Sequence, residues 1–132
     1  SDRRMEVVAE VGMFGFFAGE KVVVDWFSLA DPLLARIPYT ATQFRPGHYP
    51  RPFPPGYVET RETGENRLVD AGLRAAWDDL VLVTRAPVFD AERWAALRRL
   101  HSGAHDDAFT RAARNPWVAA PDVPPPPECD GW

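Results

Sequence analysis

Two aspartates are the residues of this sequence whose position most clearly allows chemistry. Asp25 ends the run "KVVVDW", and Asp31 follows in "SLADPLLARIP". Ligands of α/β proteins bind beyond the carboxyl ends of strands, which makes Asp25 a candidate site residue. A carboxylate there can also cap a helix or form a salt bridge, so both interpretations of Asp25 stay open. For Asp31, which precedes Pro32, a capping role is favoured over a site role.

A histidine lies in the second chemically promising stretch, "FRPGHYPRPFPPGY", residues 44–57. His48 stands there between Arg45 and Arg51. A nucleophile activated by this histidine would have to be a serine, threonine or cysteine held against it, and the sequence places none nearby. No nucleophile–base pair is therefore expected at His48, and a structural role for this residue in a rigid loop is favoured over a ligand contact.

A metal site is also disfavoured. His101 and His105 are four residues apart, a spacing that brings ligands together on a helix. Gly103 lies between them, however, and is expected to end the helix. We predict no metal site and no cofactor in this chain.

The glycines at positions 12, 15 and 19 are a weak nucleotide signal. Their spacing in "GMFGFFAG" does not match G-x-G-x-x-G, and Phe16 and Phe17 would crowd a pyrophosphate. Close packing of the backbone against a neighbouring element is the favoured interpretation.

Composition narrows the classes of partner. The 132 residues fit one domain, and 45% hydrophobic residues suffice for a core. The net charge of -4 argues against nucleic-acid binding, because phosphate contacts need a basic face. Cys129 is the single cysteine, which excludes an intrachain disulfide and a cysteine-based zinc site.

The ends of the sequence suggest a fragment. The opening "SDRR" lacks a methionine and leads directly into a strand-like run. Neither a signal-peptide pattern nor an apolar run of eighteen residues is present, so this piece is expected to be soluble. We expect a domain over residues 1–115, cut from a longer protein, and a proline-rich tail over 116–132.

Residues 44–57 include five prolines and four aromatic residues among fourteen positions. So many missing N–H donors exclude a helix or a central strand. The P-x-x-P spacing is typical of ligands for SH3-like grooves, but those ligands lie in disordered tails, whereas ordered elements flank this stretch. The pattern therefore predicts a long, rigid loop packed on the core.

Such a loop would leave a polar surface suited to sugars. Aromatic faces match the C–H surface of a sugar ring, and arginine, histidine and tyrosine side chains can hydrogen-bond its hydroxyls. The candidate ligand-binding residues are Asp25, Arg45, His48, Arg51 and Tyr57.

The order of the elements predicts a small α/β domain. A sheet of few strands is expected around residues 7–11 and 22–26, with helices near 28–37, 68–80 and 90–102. Asp90 is expected to cap the last of these, with Trp94, Leu97 and Leu100 on one face.

Four further segments carry weaker signals. Residues 12–19 fit a short helix or a strand that turns back. "VETRETGENRL" suggests a short strand before a turn at 64–66, and residues 81–85 either finish the preceding helix or form a strand, with an end near Leu80 favoured. "DDAFTRAARNP" suggests one more helical turn.

Three blocks of this sequence resemble one protein family. "VGMFGFFAGEKVVVDWFSLADPLLARIP", "FRPGHYPRPFPPGYVET" and "LVLVTRAPVFDAERWAAL" are similar to the soluble C-terminal region of bacterial GT-C type membrane glycosyltransferases. Within that class, the resemblance points to the terminal arabinofuranosyltransferases of mycobacteria and relatives. The matching positions are Gly12, Gly15, Gly19, Asp25, residues 29–38, Arg45, Gly47, His48, Arg51, Pro54, Gly56 and Tyr57.

The resemblance implies a function for a longer parent protein. That parent would be an integral membrane enzyme that transfers a pentofuranose or related sugar from a polyprenyl-phosphate donor to a cell-envelope glycan outside the cytoplasm. This chain would be its non-catalytic extracytoplasmic domain, with its own membrane domain as a partner and acceptor glycan as a possible ligand. Two alternatives remain: a structural module that braces the membrane domain, and a free-standing soluble enzyme that uses Asp25 and His48.

Overall fold

The structure is a computed structural model that describes residues 5–8, 11–39 and 51–114. These residues form a small α/β fold with a two-stranded parallel sheet and five α-helices, which confirms the predicted fold class. The elements follow in the order β1 (Met5–Val8), α1 (Val11–Phe17), β2 (Val22–Asp25), α2 (Tyr57–Thr63), α3 (Ala71–Arg85), α4 (Ala91–His101) and α5 (Asp106–Arg114).

The sheet pairs β1 with β2 in parallel, with Met5 opposite Val22 and Val8 opposite Asp25. Three successive valines in β2 suit this position, because β-branched residues favour the extended backbone and pack well on a pleated surface. The strand predicted at 22–26 is confirmed to within one residue. The other strand begins earlier than predicted, and Val11 belongs to α1, which is a short helix.

The helix predicted near 28–37 is wrong. This segment is an irregular loop that contains one 3-10 turn, Leu34–Arg36. The side chains of Asp25 and Asp31 accept hydrogen bonds from backbone N–H groups that follow them. Such local bonds offer the backbone an alternative to the helical ladder, so the chain turns tightly instead of winding into a helix.

The short strand suggested after residue 57 is also wrong, because α2 occupies this segment. Tyr57 and Thr60 are both buried on this helix, and the packing of these residues outweighs the local preference for a strand. Gly56 precedes α2 with φ 82°, and a Cβ there would lie 2.0 Å from the carbonyl oxygen of Arg67. The path into α2 therefore requires glycine at this position.

Helix α3 begins three residues later than the predicted span of 68–80 and also ends later. The Asp70 carboxylate accepts a hydrogen bond of 2.9 Å from the Leu73 N–H and caps the helix. One face of the helix is buried in the core, with Leu73, Ala76, Trp77 and Leu80. The favoured end near Leu80 is wrong, because the helix continues to the residue before the Ala86-Pro87 pair.

Helices α4 and α5 complete the fold. Asp90 caps α4 as predicted, accepting from the Arg93 N–H at 3.0 Å. Of the three residues predicted to share a face, Leu97 and Leu100 are partly buried and Trp94 is 51% exposed, while Ala96 is the buried residue of this helix. Helix α5 spans nine residues, which is longer than the single turn expected.

The core lies where the loop after β2, α2, α3 and α5 meet. Leu33, Leu34 and Ile37 from the loop pack with Tyr57 and with residues of α3. Helix α3 also packs against α4. Residues 44–50, which include Arg45 and His48, and the proposed tail at 116–132 lie outside the described residues, as does the boundary expected at 115.

Asp79 of α3 joins three helices through one buried carboxylate. The guanidinium of Arg99 in α4 donates to both of its oxygens, at 2.6 and 2.9 Å. The Nε2 atom of His105, just before α5, lies 2.7 Å from its Oδ2. The hydrogen bonds from Arg99, together with His105, hold the pKa of Asp79 below its usual value despite the opposing effect of burial.

This lowered pKa makes the fold sensitive to acid. Asp79 is more acidic in the folded than in the unfolded chain, so its ionised form stabilises the fold. This contribution to the free energy of unfolding is present above the usual carboxyl pKa of 3.8 and is lost as the pH falls below that value. We expect Asp79→Asn to lower the free energy of unfolding by roughly 2 kcal/mol at neutral pH. Urea denaturation over a pH series should show this difference shrinking below about pH 4.

The matched control is Asp78→Asn, which removes the exposed neighbouring carboxylate. It should change stability far less than Asp79→Asn, because exposed ion pairs and hydrogen bonds contribute little. Parallel pH profiles for the wild type and Asp79→Asn would contradict this account of Asp79.

Candidate functional site

Asp25 lies at the carboxyl end of β2, where the sequence predicts a site residue. Its carboxylate is buried and accepts three backbone hydrogen bonds. Its Oδ1 accepts from the Phe27 N–H at 2.9 Å, and its Oδ2 accepts from the N–H groups of Leu29 and Ala30 at 2.8 and 2.9 Å. In this arrangement the carboxylate stabilises the turn that leaves the strand.

Asp31 stabilises the next turn in the same way. Its Oδ1 accepts from the N–H groups of Leu33 and Leu34 at 2.9 and 2.8 Å. Its Oδ2 accepts a hydrogen bond of 2.5 Å from the hydroxyl of Tyr57. Asp31 thus connects the loop after β2 to the first residue of α2.

Tyr57 is fully buried among other aromatic rings. Its ring centroid lies 5.1 Å from that of Phe53, which in turn lies 6.1 Å from that of Trp26. Burial, reinforced by the negative charge of Asp31, raises the pKa of the Tyr57 hydroxyl well above its usual range. The raised pKa favours the protonated hydroxyl, which donates the hydrogen bond to Asp31.

Two arginines add to the contacts between the loop after β2 and residues 51–61. The Nε of Arg51 donates to the carbonyl oxygen of Ile37 at 2.7 Å, which ties residues 51–57 to the end of the loop. A guanidinium nitrogen of Arg61 lies 3.9 Å from the Oδ2 of Asp31. The same guanidinium lies 5.9 Å from the centre of the Trp77 ring. We refer to Asp31, Arg51, Tyr57 and Arg61 as the Asp31–Tyr57 cluster.

The structure brings together three of the five predicted ligand-binding residues. Arg51 and Tyr57 both bond to the loop that begins at Asp25. Arg45 and His48 lie outside the described residues. The oxygens of Asp25 and Tyr57 are directed at protein groups, so a sugar could bond to them only after this loop had opened. Ligand binding by the five residues stays a prediction.

Arg61 is a cluster residue that the sequence interpretation missed. Tyr57 and Arg61 are four residues apart and therefore share one face of α2. This signal becomes visible only once the segment is recognised as a helix, and the sequence had suggested a strand there. Asp31 was identified as a capping residue, but its bond to Tyr57 joins positions 26 residues apart, and spacing does not reveal such a pair.

A second surface of interest is formed by α1. Met13, Phe16 and Phe17 are 71%, 81% and 77% exposed, and no residue of this helix is buried. The close packing expected for the glycines is wrong for this helix. Within the part of the chain that the structure describes, a Cβ at Gly12 would meet nothing within 4 Å, and one at Gly15 would make only an ordinary contact at 3.9 Å.

Comparisons with known proteins do not identify the chain. No protein-family model matches it, and neither does any curated protein or any solved structure. Among the residues that the structure describes, no helix has the length and hydropathy needed to cross a bilayer. Within the same residues, no three His, Cys, Asp or Glu side chains form a group that could hold a metal ion.

Ser28 lies between the two aspartates in a conformation that L-residues rarely adopt. Its φ is 62°, and its N–H donates to the carbonyl oxygen of Asp25 at 2.9 Å. The residue is fully buried, and its hydroxyl oxygen has no hydrogen-bond partner among the described residues. The left-handed backbone and the unpaired hydroxyl each cost free energy.

We expect Ser28→Gly to stabilise the fold. Glycine adopts positive φ without a steric penalty and brings no hydroxyl, so the free energy of unfolding should rise by about 1 kcal/mol despite glycine's greater freedom in the unfolded chain. Ser28→Ala is the matched control, because it removes the hydroxyl but keeps the backbone strain. Urea denaturation should rank glycine above alanine, and a glycine variant less stable than the wild type would contradict the strain at this position.

Proposed function

We propose that this chain is the non-catalytic extracytoplasmic domain of a membrane glycosyltransferase. The parent enzyme would be arabinofuranosyltransferase-like, would use a polyprenyl-phosphate sugar donor, and would act in the biosynthesis of a cell-envelope glycan. Within it, the domain braces the membrane domain. Its place is at the extracytoplasmic face of the cell membrane, as part of the integral membrane protein.

The observation that carries this proposal is the hydrogen bond between Asp31 and Tyr57. Asp31 belongs to the block "LADPLLAR" and Tyr57 to the block "RPGHYPRPFPPGY", the two blocks on which the family resemblance rests. Their contact makes the two blocks one structural unit of this domain, as blocks that belong to one family motif would be.

Bracing is favoured over the other roles by what the polar groups contact. The Asp25 carboxylate and the Tyr57 hydroxyl bond to the protein itself, so they stabilise the domain and are not presented to a glycan. A soluble enzyme that used Asp25 would have to free this carboxylate from three backbone donors. The exposed apolar face of α1, by contrast, is the kind of surface that mediates protein–protein or membrane contacts.

Two results test the proposal. The coding region should encode a series of hydrophobic membrane spans upstream of these residues, and a gene without such spans would refute the parentage. Titration with arabinan oligosaccharides to millimolar concentration should leave the amide NMR signals of residues 45–57 unshifted if the domain only braces. Saturable shifts confined to that segment would instead establish acceptor-glycan binding and overturn the bracing role.

A further inference from the structure

Helix α1 presents an uncharged apolar face to the surroundings. Its sequence, "VGMFGFF", contains no ionisable residue. Met13, Phe16 and Phe17 follow the i, i+3, i+4 spacing that places side chains on one side of a helix. The rings of Phe16 and Phe17 contact each other edge to face, with centroids 5.1 Å apart. These three residues are called the α1 face.

The orientation of this face is unusual for its place in the chain. Helix α1 lies in the connection between two parallel strands, β1 and β2. A helix in that position normally covers the sheet with its apolar side. Here three of the four largest side chains, Met13, Phe16 and Phe17, are more than two-thirds exposed, while Phe14 is 39% exposed and Val11 is partly covered. The sequence has therefore placed its apolar residues where the described fold does not bury them.

The size and shape of the α1 face limit what can cover it. Large apolar side chains carry roughly 150–250 Å² each, so this face exposes on the order of 500 Å². Pairing it with the same face of a second copy would bury only about 1,000 Å², below the range of stable interfaces. Side chains that are 71–81% exposed protrude from the helix surface. A fluid apolar phase surrounds protruding side chains without needing a preformed pocket.

We propose that the α1 face inserts into the lipid surface of a bilayer and holds this domain against the membrane. This inference rests on the proposed function for the presence of a membrane beside the domain. The charges indicate how binding occurs: the helix is neutral and the chain carries a net charge of -4, so anionic headgroups do not attract it. Burial of apolar side chains drives the association, which is therefore insensitive to salt and needs no anionic lipid.

The test measures co-sedimentation of the 132-residue chain with neutral phosphatidylcholine vesicles. The wild type should bind equally well at low and high salt, and adding anionic phosphatidylglycerol should not strengthen binding. The double variant Phe16→Gln/Phe17→Gln should lose on the order of tenfold or more in partitioning, because two rings no longer enter the apolar phase. Since no residue of α1 is buried, this variant should keep the wild-type urea denaturation curve.

The matched control is Phe89→Gln. Phe89 is 95% exposed in the turn between α3 and α4, so its substitution removes an equally exposed ring outside the α1 face. This variant should bind vesicles like the wild type.

Several outcomes would overturn the inference. These are a wild type that does not sediment with neutral vesicles, binding that requires anionic lipid at low salt, and equal binding by the Phe16/Phe17 variant. Self-association in sedimentation velocity that depends on Phe16 and Phe17, without vesicle binding, would assign the face to a second copy instead. If the gene encodes membrane spans, any of these results refutes only the lipid contact and leaves the proposed function standing. If the gene encodes no such spans, the proposed function itself is refuted.

Discussion

The hydrogen bond from the Tyr57 hydroxyl to the Asp31 carboxylate is the interaction on which the rest of this structure depends. A buried carboxylate is tolerated only when hydrogen bonds and nearby positive charge replace the water it has lost. Asp31 receives two backbone N–H groups, the Tyr57 hydroxyl and the neighbouring charge of Arg61. This bond keeps the loop after β2 against α2, and Leu33, Leu34 and Ile37 of that loop enter the core as a result.

The polar and the apolar candidate residues of this domain have different roles. Polar groups that sequence reasoning assigned to a ligand, above all Asp25 and Tyr57, bond to the loop and hold it in place. Apolar side chains that would ordinarily cover the sheet are instead exposed on α1. A domain with these polar groups directed inward and an apolar helix directed outward is suited to contact an apolar protein or membrane surface. This combination links the fold to the proposed bracing role.

Sequence predicted those parts of the fold that depend on local signals. The valines of β2 and the capping aspartate before α4 act within a few residues, and β2 and α4 lie close to their predicted positions. The helix predicted at 28–37 is wrong because the side chains of Asp25 and Asp31 bond the backbone N–H groups of that segment. The strand suggested after residue 57 is wrong because Tyr57 and Thr60 are buried on α2. The Asp31–Tyr57 bond joins these two segments across 26 positions, a pairing that spacing does not reveal. The sequence also did not predict that the phenylalanines of α1 are exposed. The spacing of glycine and phenylalanine does not show which side of this helix faces the sheet.

A double-mutant cycle between Asp31 and Tyr57 tests the central claim most directly. Asp31→Ala, Tyr57→Phe and the combined variant would each be compared with the wild type by urea denaturation. If this bond joins the loop to α2, the two substitutions are not additive, and their coupling free energy is about 1–3 kcal/mol. Additive effects, with a coupling near zero, would show that the loop is held by its apolar residues alone and would contradict the account given for the Asp31–Tyr57 cluster.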